Sequence, residues 1–177
     1  EIVEAARVIL EVNGLEALTM ERVARAVGVR PPSLYKRVKS RGELVRLVVE
    51  DVAVQLAREV GGAASSGQPR RDLRTLAGAY RGFAHRNPGA YAAIFSRLPE
   101  ESRPDLATLA PANDAVLAAA AGIAGSEHAL EAARLVVAWA HGFVSLELAG
   151  AFRLGGDVDA AFAFGVDRLT EALGRRP

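Results

Sequence analysis

Apolar residues recur at three- and four-residue spacing along most of this chain, and few stretches alternate as a half-buried strand would. The first stripe, Ile2, Ala5, Ala6, Ile9 and Leu10, predicts a helix over 1–13 that stops at Asn13-Gly14. That helix opens without a capping residue, so further residues are expected before Glu1. Met20, Val23, Ala24 and Val27 form the second stripe, with Glu21, Arg22 and Arg25 off it and Thr19 placed as an N-cap. Gly28 follows the last periodic position, where a left-handed backbone suits glycine. A short helix over about 31–37 comes next. Pro31 and Pro32 lack the N–H groups that a first turn would orphan, and Pro31 pushes Arg30 into the extended form of a capping residue. Pro32 also disfavours helix at Pro31, which leaves a local tension at this start.

Longer helices follow. Ser40 caps one that reaches about Val60, its face marked by Leu44, Leu47, Val48, Val52 and Leu56. Residues 61–69 read by composition as a loop and a candidate domain boundary. Further helices are predicted over 72–85, from Asn87-Pro88 through Phe95, and over about 105–121 with Pro111 near its start. Residues 98–104 read as a loop, and 122–125 as a stop. The segment 126–150 is apolar nearly all round, so one neighbouring helix cannot cover it. The last stripe, Val158, Ala161, Phe162, Val166, Leu169 and Leu173, predicts a helix over 157–173.

Charge sharpens the picture at one place only. From Arg22 to Arg46 eight bases face a single acid, Glu43, a local charge of +7 in a chain whose total is +1. A charge run alone is more often a solvated helix face. Laid over a helix–turn–helix pattern, it reads as a polyanion-binding surface.

The run Gly28-Val29-Arg30-Pro31-Pro32-Ser33-Leu34-Tyr35-Lys36-Arg37-Val38-Lys39-Ser40-Arg41-Gly42-Glu43-Leu44 resembles the signature of the TetR/AcrR family of transcriptional regulators. Arg30 stands where that family usually has Ser or Thr, and Val38 where it usually has Phe. Tyr80-Arg81-Gly82-Phe83-Ala84, Asn87-Pro88-Gly89-Ala90-Tyr91 and Trp139-Ala140-His141-Gly142-Phe143-Val144-Ser145-Leu146-Glu147 resemble one subclass of the family's ligand domains. The resemblance implies an all-α fold: a three-helix DNA-binding domain at 1–45 and a helical ligand-binding and dimerisation domain at 46–177. Leu15 and Leu18 would plug the small core of the first. A dimer would place two recognition helices in successive major grooves of a roughly palindromic operator, with a small molecule releasing it.

The contacts follow from side-chain chemistry and from that resemblance. Arg30 and Lys36 can address guanine O6 and N7, Ser33 is permissive, and Pro31 or Pro32 can touch a thymine methyl. Tyr35, Thr19, Lys39 and Arg41 are phosphate candidates, with a half-buried packing tyrosine the plain alternative for Tyr35. Tyr80, Phe83, Tyr91, Phe95, Trp139, His141 and Phe143 are the residues expected around an apolar effector pocket. For any single one of them, ordinary core packing is the commoner role. The last two helices carry surplus apolar surface and form the expected homodimer seam.

Other chemistry finds little support. With no cysteine there is neither disulfide nor thiolate, which fits a cytoplasmic protein. Histidines at 85, 128 and 141 do not cluster as metal ligands, and 61–69 lacks the Gly-Lys-Ser/Thr of a phosphate loop. No cofactor and no catalytic role are expected, nor a membrane span, since no apolar run of about 18 residues is free of charge. An all-α protein-interaction adaptor is the rival reading. It would explain the apolar terminal helices but not the basic helix–turn–helix.

Overall fold

A computed structural model describes residues 1–63, 66–105 and 113–174, and every regular element among them is helical. Nine α-helices are present among these residues: α1 Ile2–Asn13, α2 Met20–Ala26, α3 Pro31–Tyr35, α4 Arg41–Ala63, α5 Pro69–Arg86, α6 Pro88–Ile94, α7 Asp114–Ala124, α8 Ala129–Leu148 and α9 Val158–Leu173. The chain divides into two compact units, one of residues 1–55 and 86–111, the other of 56–85 and 112–177. The 45/46 position falls inside the continuous helix α4.

In the first unit α1, α2 and α3 close over Ala6, Leu10, Leu18, Met20, Val23 and Leu34, all buried, while Leu15 is only partly covered. Helix α2 is held at both ends by short-range bonds. Thr19 Oγ1 accepts from the Arg22 amide at 3.2 Å. At the other end Gly28 takes φ 72°, the Val29 amide donates to Ala24 O and the Gly28 amide to Arg25 O. These are the two bonds of a Schellman closure, and they turn the chain sharply towards α3.

Helix α6 belongs to this unit and is docked on α1 at backbone range. A Cβ at Gly89 would lie 2.8 Å from Glu11 Cα, which only glycine avoids. Asn87 stands at the N-cap position, but its side chain makes no capping bond. Glu11 of α1 does that work instead, accepting from the Gly89 and Ala90 amides at 2.9 and 3.0 Å. A carboxylate there satisfies two orphan donors and faces the positive end of the helix.

The second unit packs the tail of α4 with α5, α7, α8 and α9 around Val60, Leu73, Leu76, Ala119 and Val136. Trp139 stacks on Phe162 at 5.2 Å, and Phe143 joins them at 5.6 and 5.2 Å. The edge of the indole abuts Gly165, where an added Cβ would collide with Cζ2. Asp157 caps α9 by accepting from the Asp159 and Ala160 amides.

Several boundaries differ from the periodicity. Gly61, Gly62 and Ala63 continue α4, and Pro69 is already the first residue of α5, so the loop is shorter than composition implies. Gly122 lies inside α7 against Pro69, and Gly125, at φ 90°, is the residue that ends it. Residues 126–128 form a 3-10 turn, with α8 starting at Ala129, and 100–102 form another in the expected loop. Asp105 is not helical; Pro111 and most of the expected first turns of α7 lie outside the described residues. Ser126–Leu148 is, among the described residues, the one segment that by length and composition could cross a membrane, its most apolar 18-residue window having a mean hydropathy of 1.2. Glu127, Glu131, Arg134 and Glu147 interrupt it.

Candidate functional site

The recognition element is shorter than expected. Helix α3 ends at Tyr35, with Lys36 as its C-cap, rather than at Arg37. Arg30 takes the extended conformation of an N-cap at φ −78°, ψ 147°, and its carbonyl accepts from the Ser33 and Leu34 amides. Pro31 and Pro32 therefore occupy the first turn without leaving a donor unsatisfied. Leu34 and Val38, four residues apart, are buried and fasten this element to the core.

The opposite face is exposed: Arg30, Pro32, Ser33, Tyr35 and Lys36, with Pro31 partly covered. Tyr35 is 47% exposed, which favours a reachable hydroxyl over a packing role. Lys39 is exposed, and its amide donates to Glu43 Oε2 while Ser40 Oγ accepts from the Glu43 amide. That reciprocal pair fixes the start of α4 much as a capping box does. Arg22, Arg25, Arg30, Lys36, Arg37 and Lys39 are all exposed, and none has an ion-pair partner among the described residues. Six uncompensated cations around one short helix make a field suited to a polyanion. Arg41 differs from them: its Nε donates to Leu18 O at 2.8 Å and Nη2 to Leu15 O at 3.0 Å. Arg46 sits between Glu43 and Glu50.

The aromatic residues singled out in the sequence do not form one pocket. Tyr91 and Phe95 pair at 5.1 Å in the first unit. In the second, Phe83 is fully buried, and Trp139 and Phe143 are taken up by the aromatic cluster on α9. Tyr80 and His141 do meet, Oη to Nδ1 at 3.4 Å. Burial holds the His141 imidazole below its ordinary pKa, so the neutral ring is favoured. Tyr80 also lines an apolar cavity of about 40 Å³ with Val60, Leu73, Leu76, Ala77, Val116, Val136, Val137 and Ala140. Water-sized space of that extent is far below the roughly 300 Å³ at which ligand pockets begin.

The strongest polar feature of this unit has no local sequence signal. Arg81 binds Glu147 through two nitrogens, reaches Asp159 at 2.6 Å, and lies 5.0 Å over the Phe162 ring. His85 Nε2 adds a 3.0 Å contact to Glu147. Hydrogen bonding from Arg81 holds the Glu147 carboxyl down at about 2, against the cost of burial, and raises the guanidinium further. The partners are 66 residues apart, so no motif could have paired them. His141 and Glu147 face different partners, as six positions on one helix require.

Two family models match the chain: one for bacterial regulatory proteins of the tetR family over residues 2–48, the other for a tetracyclin repressor-like C-terminal domain over 73–169. The HTH-type transcriptional regulator Rv0681 of Mycobacterium tuberculosis is 35% identical, an alignment that covers 99% of this chain and 81% of that protein. Among solved structures, the regulatory protein SCO4313 superposes with a TM-score of 0.80 at 28% identity, covering 95% of this chain and 92% of its own. BioQ, solved with its double-stranded DNA operator, shares the fold at TM-score 0.70 and 22% identity, over 99% of this chain and 96% of its own.

Proposed function

The chain belongs to the tetR family of bacterial transcriptional regulators, and from that premise we propose that it is a cytoplasmic, effector-responsive repressor that grips a palindromic operator as a homodimer. The observation that carries the DNA end is the set of six unpaired cations around an exposed, proline-opened α3. Arg30, Ser33 and Lys36 read base edges, Pro31 or Pro32 contacts a thymine methyl, and Tyr35, Thr19 and Lys39 hold phosphates. The operator complex of BioQ, on the same fold, supports this docking.

The dimer seam is α8 with α9. On α8 the exposed residues Leu135, Ala138, Gly142 and Leu146 lie along one stripe, and Phe164 of α9 is 65% exposed. Alanine and glycine between leucines let a second helix approach closely, and an apolar patch of this kind marks an interface. The effector enters the second unit beside Tyr80 and His141, whose neutral groups suit a ligand with a polar handle. The 40 Å³ cavity requires the surrounding helices to repack before it admits one. An effector that prefers the repacked state shifts the population away from operator binding, with a coupling of about 1–3 kcal/mol typical. The protein acts by binding, with no catalytic step.

The test is selection of bound sequences from random duplex DNA at fixed moderate salt. A palindromic motif with half-sites about one turn, or a multiple, apart is expected. Sequence-blind, salt-sensitive binding would remove the regulator reading, and no binding at all would favour the adaptor. Phe164→Glu with Leu146→Glu should give a folded monomer by sedimentation, with operator affinity lost.

A further inference from the structure

Eight bases crowd residues 22–46, and six of them have no ion-pair partner among the described residues; of the other two, Arg46 pairs with acids of its own helix and Arg41 points inward. Its Nε and Nη2 bind the carbonyls of Leu18 and Leu15, the turn that leads into Thr19 and α2. Leu18 is fully buried, so its carbonyl is a fixed point of the core. Arg41 is also the first residue of α4, whose start is tied down on the other side. A Cβ at the next residue, Gly42, would lie 2.6 Å from Glu101 Cγ and 3.4 Å from Ser102 Oγ. The guanidinium fork therefore ties the start of α4 to carbonyls 23 and 26 residues earlier in sequence, and does so with the planar pair of donors that lysine lacks.

We propose that Arg41 is a positioning residue: by binding the Leu15 and Leu18 carbonyls it sets the α2–α3 pair against the start of α4, and it does not itself serve as a phosphate contact. This role rests on the DNA-binding reading above. It makes Arg41 different in kind from Lys39, two residues away and exposed, whose ammonium has no ion-pair partner among the described residues.

The experiment compares Arg41→Lys, Arg41→Ala and Lys39→Ala in the full chain. It reads amide hydrogen exchange without DNA, then affinity for the duplex recovered by selection at several salt concentrations. Arg41→Lys keeps the charge but loses the fork. Both Arg41 variants are expected to speed exchange over residues 15–24 and to weaken duplex binding by about tenfold or more, since two charge-assisted hydrogen bonds are lost. Base preference stays as in the wild type, and Arg41→Lys keeps the wild-type salt slope. Lys39→Ala leaves exchange unchanged and lowers the slope by about one. A Lys variant that exchanges and binds like the wild type, with the Ala variant losing about one unit of slope, would make Arg41 a phosphate contact and overturn the proposal. Faster exchange with unaltered binding would reduce it to a local staple, overturning it equally. Wild-type protein that binds no duplex would remove the DNA reading, and this role with it; that outcome is separate because it involves no Arg41 variant.

Discussion

Arginine does opposite work in the two units. Around α3 of the first, arginines and lysines stand exposed and have no ion-pair partner among the described residues, so their charge reaches into solvent. In the second, Arg81 is wrapped by Glu147, Asp159 and the face of Phe162, with only 17% of its side chain exposed. A free cation contributes little to folding and much to attracting a polyanion. A caged one ties α5 to α8 and α9 and has no charge left over for a ligand. Pairing, rather than the count of bases, separates a binding surface from a structural knot.

The largest effect should come from breaking the knot. Arg81→Met leaves the half-buried Glu147 with only its His85 contact and should cost about 3 kcal/mol in denaturant unfolding. The same pair gives stability a pH signature. Glu147 falls from an ordinary 4.5 to about 2 in the folded chain, so its stabilisation is complete above about 4.5 and disappears as the pH drops through about 2. Glu147→Gln should flatten this part of the curve of unfolding free energy against pH; an unchanged curve would mean that the pair is not the source.

Gly165→Ala is next in size. The added methyl must displace the ring of Trp139, at a cost of about 1–3 kcal/mol, and the emission of this sole tryptophan should shift with it. Glu11→Ala, which removes the borrowed cap of α6, should cost about 1 kcal/mol and raise amide exchange at Gly89 and Ala90. Smallest for the fold is Lys36→Ala, with stability changed by less than about 0.5 kcal/mol. Its cost appears only with DNA, as weaker operator binding and a relaxed preference at one base position. If Lys36→Ala destabilised the fold as Arg81→Met does, the contrast between free and caged charge would collapse.

The helix–turn–helix was the most legible part because its signals are local. Thr19, Gly28 and the Pro31-Pro32 pair each act within a few residues, and each forms the cap, turn or helix start that its chemistry implies. The exposed row of Arg30, Ser33, Tyr35 and Lys36 follows from the same short register, with Leu34 and Val38 turned inward. The aromatic residues were less legible. Periodicity shows that Tyr91 and Trp139 lie on apolar faces, but not that one packs in the first unit and the other in the second.

By itself, then, the chain's order of residues determined the helices, the caps at Thr19, Ser40 and Asp157, and which side of α3 faces outward, because backbone hydrogen bonding and side-chain periodicity operate over a few residues. The tertiary structure alone decided which charges are free. Arg41 meets Leu15 and Leu18, Glu11 meets α6 across 78 residues, and Arg81 meets Glu147 across 66. A side chain carries the same charge wherever it stands in a sequence. Whether that charge is neutralised depends on which distant helix packing brings within about 3 Å of it.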